Sequence, residues 1–197
     1  MIGALLLLVA SALAQQDPLD YSFDPERFRP HADVFGYGVT EGSSSLKHLQ
    51  VAVGTLGHYS EDSLVMLRED GSRIYVGEEE VPSNDGDGVI DRRGMVDLQV
   101  GIGLFKVSSL TFDLPIYLWQ SGYELRHAWY PDTPRDIQSA GPGDLRATLK
   151  GVIVDLDNSP VGLAMSLQGT FPSGSSHSYM GEGGFTVTPM VILEASD

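Results

Sequence analysis

The chain has 197 residues, a formal net charge of −15 and no cysteine. Twelve basic against 27 acidic side chains exclude nucleic acid or an anionic membrane surface as a general electrostatic partner. The missing cysteine excludes a disulfide scaffold, so stability must come from a core, a closed hydrogen-bonded sheet, a metal or a membrane.

The chain begins MIGALLLLVASALAQQ. An apolar run over 2–10 precedes Ala12-Leu13-Ala14, the small-x-small pattern of a cleaved export signal. The run falls well short of the roughly 20 apolar residues that a spanning helix needs, so 1–14 reads as a signal peptide. Residues 15–45 are rich in Pro, Asp, Gly and Ser, with aromatics scattered through "YSFDPERFRPHADVFGYG". They show no sustained period and read as an irregular lead-in on the periplasmic side. From residue 46 to 197 the pattern is that of one β domain.

Alternation begins at Leu49, with Leu49, Val51, Val53, Thr55, Gly57 and Tyr59 on one face. "VMLREDGSRIYV" then predicts a hairpin turning at Asp70-Gly71, a favoured turn pair. Two long runs follow in "VDLQVGIGLFKVSSLTFDLPIYLWQ", hinged on 106–109. Val96, Leu98, Val100, Ile102 and Leu104 are apolar on the first, and Leu110, Phe112, Leu114, Ile116 and Leu118 on the second. A period of two sets each group on one face of a strand. The predicted register pairs Phe105 with Ser109, Leu104 with Leu110 and Asp97 with Tyr117. Three more alternating runs lead with Leu145, Val161 and Phe185, which makes six principal strands and no convincing helix.

The apolar faces must meet either a second sheet or lipid. Runs of about 9–11 residues suit tilted membrane strands, whereas globular strands are nearer 5–6. Short links (106–109 and 155–160) alternate with long ones (60–91, 121–142 and 172–183), as in barrels with short periplasmic turns and long outer loops. The opposite faces bear Asp97, Gln99, Asp113, Asp144, Arg146, Lys150 and Gln168, which fits a wet lumen. Trp119, Trp129, Tyr123 and Tyr130 gather where the third strand meets its outer loop, and such rings favour a membrane interface. The rival reading is a soluble exported β-sandwich acting as a binding module.

Two segments, "GLFKVSSLTFDLPIYLWQSG" (103–122) and "GPGDLRATLKGVIVDLDNSPVGLAMSLQGTFPSG" (141–174), share a pattern. A strand reaches "LP", "G-x-G-D-L" opens the next, and a later strand ends in "FPSG". In this the chain resembles the outer-membrane barrel family named for the meta-pathway of phenol degradation, and related barrels that precede OmpA-type domains. The resemblance implies a barrel that admits or transports small, often apolar, molecules. Family members continue through more strands, whereas this sequence ends "VILEASD". Since natural single-chain barrels have at least about eight strands, a barrel that is incomplete within this stretch is expected.

Chemical motifs are sparse. In "SNDGDGVID", Asp85, Asp87 and Asp91 have the close spacing of calcium-loop carboxylates. Ser83 stands at the first ligand position and Gly94 where a bidentate Glu belongs, so an acidic glycine-rich turn is the favoured reading. Calcium is the only cofactor with any candidate. His31, His48, His58, His127 and His177 show no metal spacing, "GSSHS" around His177 is no triad, and no G-x-S-x-G elbow exists. The chain therefore does not read as an enzyme. The expectation is an all-β, antiparallel up-and-down transmembrane β-barrel of the cell outer membrane, partnered by lipid, lipopolysaccharide and small molecules and not by nucleic acid.

Ten acidic residues lie between Glu61 and Asp91, and an outward loop of this charge beside lipopolysaccharide needs divalent screening. Chelation should speed proteolysis within 60–91. An unchanged cleavage rate would remove that role for cations.

Overall fold

The computed structural model describes residues 24–26, 28–31, 40–67, 69–71, 73–74, 89–122 and 137–195. Residues 1–14, half of the acidic loop over 60–91, and Trp129, Tyr123 and Tyr130 lie outside them. The described residues include nine strands: β1 Val51–Leu64, β2 Met66–Leu67, β3 Arg73–Ile74, β4 Ile90–Leu104, β5 Ser108–Gly122, β6 Gly141–Pro142, β7 Leu145–Val154, β8 Val161–Phe171 and β9 Thr186–Ala195. Among the described residues there is no α-helix, only a 3-10 turn at Ser176–Ser178.

Seven strands form one antiparallel sheet in the order β1-β4-β5-β7-β8-β9, with β6 paired to β5. Neighbours in space are therefore successive long strands in sequence, an up-and-down meander. The sheet is not closed: β1 pairs only with β4, and β9 only with β8. The predicted hairpin is present, with Met66 opposite Ile74 and Leu67 opposite Arg73.

The β4–β5 register differs from the expected one by two residues. Gly103 faces Ser109, Ile102 faces Leu110, and Asp97 faces Pro115, while Tyr117 faces Met95. The connection is a tight turn over 105–107, with Phe105 in the left-handed region at φ 58°. A two-residue shift conserves the side-chain phase, so every face assignment on these strands survives it.

Strands β4 and β5 run to 15 residues each, longer than the alternation implied. Pairing continues past Val96 because Arg93 points to the concave side and is fully buried there. The extension includes a bulge, in which Gly94 faces Trp119 and Met95 faces Tyr117, leaving Leu118 unpaired. The extra residue reverses the phase. Trp119, which strict alternation from Leu110 would set on the polar face, is exposed beside Tyr59, with ring centroids 5.5 Å apart. Gly94 makes room, since a Cβ there would lie 2.7 Å from Trp119 Nε1. Pro115 sits where β5 exchanges its partner from β7 to β6; it has no N–H to offer, and its carbonyl accepts from Gly143 N at 2.8 Å.

Burial is inverted relative to a soluble sheet. Val53, Leu98, Val100, Phe112, Leu149, Met165, Leu167 and Leu193 on the convex face are 43–76% exposed. Asp97, Asp113, Arg146 and Lys150 on the concave face are 1–7% exposed. Apolar clusters are small: Met95, Tyr117 and Met180 form one, and Val89, Ile90, Ile137 and Tyr179 the other. Both gather at the long-loop end rather than beneath the sheet.

The described part of the lead-in is irregular and is not confined to one rim. Residues 24–26 and 28–31 lie against the concave face near the long loops, and 42–47 fill its short-turn end. There Leu46 is buried, Ser43 donates through N and Oγ to Glu194 Oε2 at 2.7 and 2.9 Å, and Lys150 Nζ donates to Gly42 O at 2.9 Å.

Gly103 permits this packing, because a Cβ there would stand 1.9 Å from Lys47 O, whereas nothing lies within 4 Å of one at Gly151. Gly103→Ala should cost about 1–3 kcal/mol as an overpacked contact, and Gly151→Ala no more than about 0.5 kcal/mol. Urea unfolding of the two variants reads the contrast.

Candidate functional site

The concave face is assembled by strand register. Because β5 and β7 pair with Asp113 opposite Arg146, those two side chains emerge side by side and form an ion pair. Arg146 Nη2 also donates to Asp97 Oδ1 at 3.1 Å, and His58 Nε2 lies 3.1 Å from Asp97 Oδ2. One guanidinium thus serves two carboxylates, and the ladder His58–Asp97–Arg146–Asp113 crosses β1, β4, β7 and β5. Breaking a buried pair of this kind costs far more than its net worth when intact, since the abandoned charge stays desolvated.

A second row crosses three strands nearer the short turns. Lys150 lies opposite Ser109 on β5 and Ser166 on β8. All three are buried, with Thr148 beside them. The row is polar throughout, and Lys150 is tied to the lead-in through Gly42.

The third group lies at the long-loop end. Arg93 sits over the Tyr117 ring, 5.0 Å from its centroid, and Nη2 donates to Gln120 Oε1 at 3.1 Å. Tyr117 Oη donates to Asp24 Oδ2 at 3.3 Å, and Arg93 Nη1 stands 3.6 Å from Asp24 Oδ1. Burial raises the Asp24 carboxyl above its ordinary range, against the backbone N–H of Glu26 and the Arg29 and Arg93 guanidiniums. Arg29 Nη2 donates to Glu182 Oε1 at 2.8 Å. Asp144 fixes the 172–183 loop by accepting from Gly174 N at 2.9 Å and Glu182 N at 2.7 Å.

Between the lead-in and the sheet lies a cleft lined by five carboxylates, two arginines and an apolar patch of Phe28, Met95 and Pro115. The carboxylates are Asp24, Glu26, Asp97, Asp144 and Glu182, and the arginines Arg29 and Arg146. Glu26 is held by Phe28 N at 3.1 Å and Ser60 Oγ at 3.3 Å. The cleft offers dense hydrogen-bonding capacity beside a limited apolar wall.

Of the calcium candidates, Asp91 alone is among the described residues. Asp91 is on β4, with Arg92 Nε 3.6 Å away and Ser121 Oγ donating to it at 3.4 Å. Asp85 and Asp87 lie outside the described residues. Among the described residues no three His, Asp or Glu side chains gather as a metal set. His58 joins the ladder, His48 Nδ1 accepts from Phe105 N at 3.0 Å at the short turn, and His127 lies outside the described residues.

Asp24, Glu26, Arg29 and Arg93 were not singled out from sequence. Arg93 adjoins Arg92 just before the alternation becomes clean, and the Arg29–Glu182 contact spans 153 residues. The available signal was the charged, aromatic content of a segment with no period of its own. No family model, curated protein or solved structure matches the chain. The class that fold and site define is thus an open, antiparallel all-β sheet with a charged inner face.

Arg146→Met should cost about 3–5 kcal/mol, because Asp97 and Asp113 then face each other with no guanidinium between them. Adding Asp97→Asn and Asp113→Asn should recover most of that loss in urea unfolding. Equal destabilisation of the single and triple variants would mean that shape, and not charge, holds the ladder.

Proposed function

We propose that this chain is an outer-membrane β-barrel domain whose convex face meets hydrocarbon and whose concave face lines a wet interior for passage of small molecules. The inverted burial supports this reading above all: the same strands bury Asp97, Asp113, Arg146 and Lys150 and expose Leu98, Phe112, Leu149 and Leu167. In water such a convex face is a large unpaid apolar surface; in a bilayer it is the expected one. Among the described residues no second sheet covers it, which speaks against a sandwich. No helix there is long and apolar enough to cross a membrane.

Dimensions agree with this reading. From Leu110 to Leu118, eight residue steps at about 3.4 Å give roughly 27 Å along β5, or about 21 Å at a 40° tilt, near the apolar band of roughly 25 Å. Aromatic rings flank the band: Tyr59 with Trp119 and Phe171 with Phe185 towards the long loops, and Phe105 with His48 at the short turn. Interfacial rings of this kind anchor membrane strands. The Phe28, Met95 and Pro115 patch favours solutes with an apolar portion. An open sheet leaves backbone groups unpaired at both flanks, so in lipid the barrel needs further strands for closure.

Leu114→Arg should abolish partition into outer membranes, since a basic residue on the lipid face costs up to about 2–4 kcal/mol. Asp113→Asn, on the concave face, should lower stability yet leave partition intact. Fractionation with and without detergent reads both. Full solubility of the native chain in plain buffer as a folded monomer would overturn the proposal.

A further inference from the structure

The lead-in is held very differently at its two ends. Near the short turns Ser43 and Leu46 are at most 1% exposed, and Leu49 N–Gly103 O and Gly103 N–Gln50 O bonds of 2.9 Å tie the backbone to β4. The sheet is contoured for this end: a Cβ at Gly162 would stand 2.0 Å from Ser43 Oγ, and one at Gly103 would strike Lys47 O. This anchor is built into the fold.

Residues 24–26 and 28–31 have no strand pairing. Their grip on the rim is by side chains: Arg29 to Glu182 and Asp24, Asp24 to Tyr117 and Arg93, Glu26 to Ser60, and His31 O to Gln99 Nε2 at 3.0 Å. Arg29 and Glu182 are 35% and 29% exposed, so that pair is open to solvent and screened by salt. Beneath it are Asp97, Arg146 and Thr170, all buried. The segment covers a charged surface that would otherwise be wet, and covers it through its most exchangeable contact.

We propose that residues 24–26 and 28–31 form a displaceable inner stop, anchored at 42–50 and latched at the long-loop rim by Arg29 on Glu182 and Asp24. Releasing the latch lifts the segment off the cleft and uncovers the Asp97–Arg146 face without unfolding the sheet. That the uncovered face then conducts solutes rests on the bilayer reading above; the movement itself does not.

The absence of native cysteine allows a direct test. Thr170→Cys places the sole thiol beneath the segment, and Ser166→Cys gives a separate control deeper on the same strand. Alkylation by neutral iodoacetamide should be slow in the Thr170→Cys chain and faster with added salt. Arg29→Glu should accelerate it about tenfold, the scale of two partly exposed ion pairs, and reverse the sign of the salt effect, since salt then screens a repulsion. Arg29→Gln should give a smaller acceleration, and Arg29→Glu with Glu182→Arg should restore slow labelling. Ser166→Cys should stay slow throughout.

An unchanged rate in a folded Arg29→Glu chain would overturn the latch. Joint acceleration at both thiols would also overturn it, because the sheet itself would then have loosened. The assay needs only folded protein, in detergent or in buffer, so its result is independent of membrane partition. Should the latch hold while partition fails, the stop would remain and the passage route would fall.

Discussion

One guanidinium between two carboxylates organises the inner face. Arg146 reaches Asp97 on β4 and Asp113 on β5 from its own place on β7, and His58 extends the chain of charges to β1. None of these groups can turn outward, because a one-residue slip in any of the strands would exchange a charge for a leucine on the convex side. The ladder therefore acts as a register lock. Each neighbour-to-neighbour pairing is fixed by the backbone and also by the requirement that buried charges find each other.

A charged inner face dictates what can pack against it. An apolar layer would take Asp24 from Arg93 and the Gly42 carbonyl from Lys150, at a desolvation cost that no hydrophobic gain would offset. The layer that is present is the polar lead-in, with Asp24, Glu26, Arg29 and the carbonyls of His31 and Gly42 supplying complementary groups. Irregular backbone serves here better than a strand or helix. Its own carbonyls stay available to the side chains of the sheet, as Gly42 O is to Lys150.

Much of this was legible from sequence because it is periodic. The alternations through Val96–Leu104 and Leu110–Leu118, and the runs led by Leu145, Val161 and Phe185, gave the strands and their faces. The exact pairing of β4 with β5 was not legible, since a register two residues off satisfies the same alternation and only the turn geometry at Phe105 separates the two. The side to which Trp119 turns was not legible either, because a single-residue bulge at Leu118 leaves no mark on composition. The rim site was hidden for a different reason. Arg29 and Glu182 are joined by a contact across nearly the whole domain, and neither lies in a segment with a readable period.

The two flanks of the sheet have a geometric consequence. Six long strands alternate in direction from β1 to β9, so the outermost two point in opposite senses. Whatever completes the wall, whether more hairpins or another molecule, meets antiparallel geometry at both seams only if it brings an even number of strands. Pro189 lies midway along β9 and has no amide hydrogen to give. A strand docking along that flank has one donor fewer to meet at that residue, and this makes the β9 seam the less favourable of the two.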